Sequence, residues 1–196
     1  MKKHYLIFLL GMMLSGCFSL KTPLPEVSYF DLDLNLNKSQ KCQASPYYVG
    51  IAEIRSLNIY EDQSLMMKKS SGEVVKVPKM AWIDTPKNLF KKAIIEQFNA
   101  QCIKVSLPPF GGIKNDYLLK LEILNFEISQ EANEDFVHLG LFYEFLDLKE
   151  FRVLESGFIE EKEPSEHYVA SFKKAIQSIS LRLAQRIKVL QETQER

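Results

Sequence analysis

The sequence predicts an α+β domain, a single mostly antiparallel sheet with two amphipathic helices packed on one face. Three observations carry that expectation. Several segments alternate apolar and polar residues, as half-buried strands do. Two longer segments carry apolar residues at spacings of three and four, the stripe of a core-facing helix. The order runs strands, helix, strands, helix, so both helices have a sheet to cover.

The elements follow in chain order. Tyr29 to Leu36 places Phe30, Leu32, Leu34 and Leu36 on one face, and Asn37 to Ser45 reads as a polar loop. Tyr47 to Arg55 (YYVGIAEIR) is rich in aromatic and β-branched residues and reads as a strand. Leu65–Met67 and Glu73–Val77 read as a hairpin joined by Lys68-Lys69-Ser70-Ser71-Gly72. Thr85 is placed to cap a helix and Pro86 to occupy its first position. Phe90, Ile94 and Phe98 then give that helix its stripe.

Leu107-Pro108-Pro109-Phe110-Gly111-Gly112 ends regular structure. Tyr117 to Ser129 changes parity, with Tyr117, Leu119, Leu121 and Ile123 apolar and then Leu124, Phe126 and Ile128. That predicts a β-bulge near residues 123 and 124. Val137 to Phe145 and Phe151 to Ile159 are two more strands. Glu160 to Glu163 reads as a solvated stretch. A last helix starts near Ser165, with Val169, Phe172, Ile176, Ile179, Leu183, Ile187 and Leu190 as its stripe, and Gln191 to Arg196 frays.

The start of the chain bears on location. Lys2 and Lys3 precede the apolar run Tyr5–Leu14, a basic n-region and a short h-region. The run is too short to span a bilayer, which needs about 20 apolar residues. It ends in Leu14-Ser15-Gly16-Cys17, which resembles a bacterial lipobox. Small residues at 15 and 16 suit a peptidase cleft. The Cys17 thiol and the freed α-amine can take acyl chains, and two or more chains hold firmly to a membrane. Residues 1–16 are thus expected to be a lipoprotein signal peptide, 17–27 a tether with Pro23 and Pro25, and 28–196 one domain. From Cys17 on, 23 basic residues face 25 acidic ones, which is no electrostatic footprint for nucleic acid.

No catalytic motif stands out. Phosphate-binding loops, nucleophile elbows, C-x-x-C and H-E-x-x-H are all absent from the sequence. His138 is expected mid-strand and His167 in the first turn of the last helix, both as structural residues. The expectation is a protein without cofactor, metal or enzymatic activity. Cys42 and Cys102 invite a disulfide in an exported chain, the alternative being two buried free thiols. Trp82, the only tryptophan, reads either as a core plug between helix and sheet or as a contact for a partner or lipid.

Taken together, the lipobox, the Y-F-x-L strand, Val49-Gly50-Ile51, Trp82, Asp84, Pro86 with the Leu89–Phe98 helix, and Asp116–Glu127 (DYLLKLEILNFE) resemble the ABC-type transport auxiliary lipoprotein family, paraquat-inducible lipoprotein C-like. The stretch Ser56–Gln63 departs from that family, which often has P-x-Y-L-x-R-P there. The resemblance implies a periplasm-facing accessory of a transporter with an MCE-domain component, moving phospholipid or another hydrophobic molecule. Its implied partners are that component and phospholipid; the lipobox adds the membrane through acyl chains on Cys17, and a homo-oligomer is left open. Phe18 in place of aspartate after Cys17 is similar to the outer-membrane pattern. Two other classes stay open. One is a structural or assembly envelope lipoprotein, such as a lipopolysaccharide-assembly or secretion-system subunit. The other is a lipid-processing enzyme, for which no nucleophile and base are found.

Overall fold

A computed structural model describes residues 26–36, 42, 48–132, 134–165 and 167–194. The signal-peptide segment, Cys17 and most of the tether lie outside the described residues, as does most of the loop expected over 37–45.

Nine strands form one sheet: β1 Ser28–Phe30, β2 Tyr48–Ile51, β3 Arg55–Ser56, β4 Ser64–Lys68, β5 Val74–Trp82, β6 Lys104–Ser106, β7 Tyr117–Glu131, β8 Glu134–Asp147 and β9 Arg152–Pro164. Among the described residues two α-helices accompany it, α1 Pro86–Ala100 and α2 Tyr168–Gln194. β7 is the spine. On one side it pairs antiparallel with β8, which pairs antiparallel with β9. On the other side β2, β3 and β4 lie end to end along it, all parallel to it. β6 extends β2 in parallel, β5 pairs antiparallel with β4, and β1 pairs parallel with β5.

The sheet is therefore mixed, not mostly antiparallel. A parallel pair needs a crossover connection, usually helical, and α1 supplies it between the β4–β5 hairpin and the β6–β7 segment. The two helices pack on each other, α1 also reaching β6 and β3 and α2 reaching β8 and β9. One core results. It takes the odd positions Tyr117–Ile123 of β7 and Val137–Phe145 of β8, and Phe172, Ile176, Ile179, Leu183 and Ile187 of α2. The parity change in β7 is a real register shift between Ile123 and Asn125, which leaves Leu124 unpaired and brings Phe126 and Ile128 back to the core.

Several segments differ from the sequence expectation. Only Ser28–Phe30 of the first alternating run pairs as a strand. Residues 31–36 continue without sheet partners, yet Leu32 is buried and Leu34 packs on the core. The strand expected over 47–55 breaks after Ile51 and resumes at Arg55. β5 runs past Pro78 to Trp82 because the β4–β5 pairing slips between Ser64 and Met66, leaving extra residues around Pro78 out of the ladder. His167 stands just before α2, not in its first turn. Glu160–Glu163 is no solvated linker. It completes β9, because α2 crosses that edge: Lys174 pairs with Glu163, Ser178 and Arg182 bond Glu161, and Arg186 pairs with Glu155. Arg182 also donates to the backbone oxygen of Glu160 (2.9 Å) and Ser171 to that of Pro164 (3.1 Å).

Candidate functional site

Trp82 ends β5 and is fully buried. Its ring meets Phe172 of α2 and Phe126 of β7 edge-on, with centroids 4.8 and 5.7 Å away. This trio binds strand, spine and helix together. The indole Nε1 is buried without a hydrogen-bond partner. Trp82 thus offers no face to a partner or lipid in this structure.

The start of α1 follows two residues later. Thr85 holds the N-cap backbone angles, but its hydroxyl makes no cap bond and is buried without a partner. Asp84 braces the turn into the helix instead. Its carboxylate accepts from the Thr85 backbone N–H and from Asn88 (3.0 Å), and these bonds hold it below the usual carboxylate range.

Residues 31–36 lie along α1 as a strap. Lys92 pairs with Asp31 at 2.9 Å and Asp33 at 3.8 Å, and the Leu34 N–H donates to Glu96. Cys42 and Cys102 are joined as a disulfide, with Cα atoms 5.3 Å apart, just past the C-terminal end of α1. A groove between strap and helix is lined by Asp33, Asp84, Lys91, Glu96 and Ile95, among others. Burial, then a hydrogen bond with Asp33, raises the Glu96 carboxyl above its usual range. Leu36, Ile83 and Leu89 join the lining, so the groove offers apolar as well as charged surface.

The sheet face away from the helices carries a polar row that the sequence did not single out. Met66, Glu127, His138 and Lys162 stand side by side across β4, β7, β8 and β9. Glu127 is 2% exposed, and burial pushes its carboxyl up to about 7. One of its oxygens accepts from Asn125 at 3.2 Å and the other has no partner. His138 Nδ1 is 3.8 Å from Glu127, and its Nε2 bonds Glu160. Gly140 leaves room for Asn125, whose Oδ1 would sit 2.8 Å from an added Cβ. Parity alone could have put Glu127 opposite His138, but not revealed that the pair is buried. Among the described residues no group of side chains has the makings of a metal site.

The remaining motif residues are architectural. The Asp116 carboxylate accepts from the Tyr48 N–H and its own N–H returns a bond to the Tyr48 carbonyl, both at 3.0 Å, which aligns β2 with β7. Gly50 fits closely there, since an added Cβ would sit 3.0 Å from the Asn115 side chain, which would have to give way. The most exposed large apolar side chains belong to β9 and the turn before it. Phe151 in the β8–β9 turn is 88% exposed, Phe158 73% and Val153 52%. The loop carrying Ile113 adjoins that turn through Leu148 N–H to Asp116 oxygen (2.9 Å).

No family model and no curated protein matches the sequence. Solved structures do match the fold. A Xanthomonas campestris protein of the DUF330 family model superposes with a TM-score of 0.74 at 15% identity, over 86% of this chain and 99% of that one. An uncharacterised protein superposes with a TM-score of 0.65 at 9% identity, over 83% and 99%. PelC from Paraburkholderia phytofirmans, crystallised as a dodecamer, gives 0.47 at 13% identity, over 73% and 90%. The first two show that this chain shares their fold across nearly its whole described length. Among the described residues no helix is long and apolar enough to cross a membrane.

Proposed function

We propose that the chain is a lipid-anchored accessory of an envelope ABC transporter, facing the periplasm from the outer membrane. It works beside an MCE-domain component that moves phospholipid or another hydrophobic molecule. In this reading it performs no chemistry: it binds and positions. The observation that carries the reading is the placement of the family-like residues. Val49-Gly50-Ile51, Trp82-Asp84-Pro86 and Asp116–Glu127 occupy β2, the β5–α1 corner and β7 of one sheet, behind a lipobox cysteine.

These residues build the fold, so contact falls to surfaces. The strand that follows the tether, β1, enters opposite Met80, near the level of Glu127 on the spine. The β8–β9 turn lies past Tyr117, ten residues along β7 and about 33 Å away. The entry of β1 and the apolar end with Phe151 are thus far apart, and we assign that end to the transporter component.

Affinity purification of the acylated protein in mild detergent tests this. An MCE protein with its permease and ATPase should co-purify, and Phe151→Asp should lose them with its melting temperature unchanged. Recovery of lipopolysaccharide-assembly or secretion components in their place overturns the transport reading.

A further inference from the structure

Charge is unevenly placed on this domain. The β4–β5 hairpin, residues 64–82, holds Lys68, Lys69, Lys76 and Lys79 against one acid, Glu73. The rest of the chain from Cys17 on holds 19 basic and 24 acidic residues. Lys68, Lys76 and Lys79 are exposed and Lys69 is half-buried. Lys69 pairs with Glu73 and Lys76 with Asp62, both on the surface, where water and salt leave such pairs weak. Lys68 and Lys79 have no ion pair among the described residues. Lys79 sits at φ 60°, in the left-handed region, at the slip in the ladder beside Pro78.

The strand beside this hairpin is β1, with Ser28 opposite Met80, the residue after Lys79. Cys17 precedes Ser28 by eleven residues, which span at most about 40 Å. Acyl chains on Cys17 therefore keep a bilayer within reach of these lysines at all times. A tethered surface meets its partner at high effective concentration, so a modest charge excess suffices to orient it. Positive charge suits an anionic partner, and the tether favours the phosphate headgroup over an acidic protein because it holds the headgroup close by.

We propose that the β4–β5 hairpin, through Lys68, Lys69, Lys76 and Lys79, lies on the anionic headgroups of the bilayer that anchors Cys17. This rests on the lipid-anchor reading above. It gives the domain an orientation: hairpin down, Phe151 end outward.

The test uses full-length acylated protein in vesicles of phosphatidylethanolamine and phosphatidylglycerol, and in phosphatidylcholine alone. A fluorophore is attached at Ser71→Cys in the hairpin turn or at Glu150→Cys at the far end, and the vesicles carry a headgroup nitroxide quencher. Quenching at 71 should exceed that at 150 by at least about threefold in anionic vesicles. It should fall by about half or more in about 0.5 M salt, in phosphatidylcholine, and in Lys68→Glu/Lys79→Glu. Equal quenching at the two sites, or quenching indifferent to salt and lipid charge, overturns the proposal. Flotation with vesicles in high salt reads the anchor separately. Lost flotation overturns the anchor itself, whereas retained flotation without the quenching difference overturns only the hairpin contact.

Discussion

Trp82 and Phe172 stand edge to face with ring centroids 4.8 Å apart, so the last residue of β5 is locked to the first turns of α2 across 90 residues of chain. Removing the indole should leave a cavity at the centre of the core. Trp82→Ala is expected to cost about 3–5 kcal/mol. Trp82→Phe, which also removes the unpartnered Nε1, should cost clearly less. Thermal melting of the purified variants measures both. An unchanged melting temperature for Trp82→Ala would return Trp82 to the surface.

Glu127 sets a pH dependence. Its folded pKa of about 7 lies above the unfolded carboxylate value of about 4.3. Between these values the folded state holds a proton that the unfolded state has lost. Stability from this group therefore falls as pH rises through about 4.5 to 7, by something on the order of 3 kcal/mol. Glu127→Gln should remove that slope and raise stability at pH 8. Denaturant unfolding at pH 5 and pH 8 checks it, and equal slopes in both proteins would refute the buried-carboxyl account.

At the entrance of α1 the expected ranking is inverted from the usual one. A Thr cap normally costs about 1 kcal/mol to remove. Here Thr85→Ala should cost less than that, since its hydroxyl makes no bond, while Asp84→Ala should cost more than Thr85→Ala. Chemical denaturation of the two variants decides the order.

The Cys42–Cys102 disulfide closes 60 residues. In the chain-entropy model such a closure contributes about 4 kcal/mol. Reductant or Cys42→Ser should lower the melting temperature accordingly. Alkylation of both thiols in freshly isolated, unreduced protein would show that they are free.

Cys17→Ala should abolish incorporation of labelled fatty acid and leave an unprocessed precursor or a soluble protein. Label persisting in that variant would exclude Cys17 as the acylation site.

Much of this architecture was legible locally. The α2 stripe from Phe172 to Ile187 and the parity change at Ile123–Leu124 could be read because burial is periodic and each residue reports on its own element. The mixed sheet could not. Whether β2, β3 and β4 run with or against β7 depends on the path of α1, which no local pattern records. Glu160–Glu163 looked solvated because the cations that neutralise it, Lys174 and Arg182, come from a helix that begins after it. Of the candidate residues, Trp82 was ambiguous because an apolar plug and an apolar contact look alike in sequence. Glu127 was missed because nothing in the sequence shows that the second face of β7 is buried there.

The side chains that α2 lays across β9 bear on life at a crowded surface. Molecules held by lipid tails diffuse in two dimensions and collide far more often than the same number in solution. A bare 13-residue edge would offer its backbone to every neighbour. With the Glu160 and Pro164 carbonyls already occupied by Arg182 and Ser171, that end of the edge has fewer groups left to share. On the lipid anchor proposed above, this cover protects that stretch of the edge when copies crowd together on a membrane.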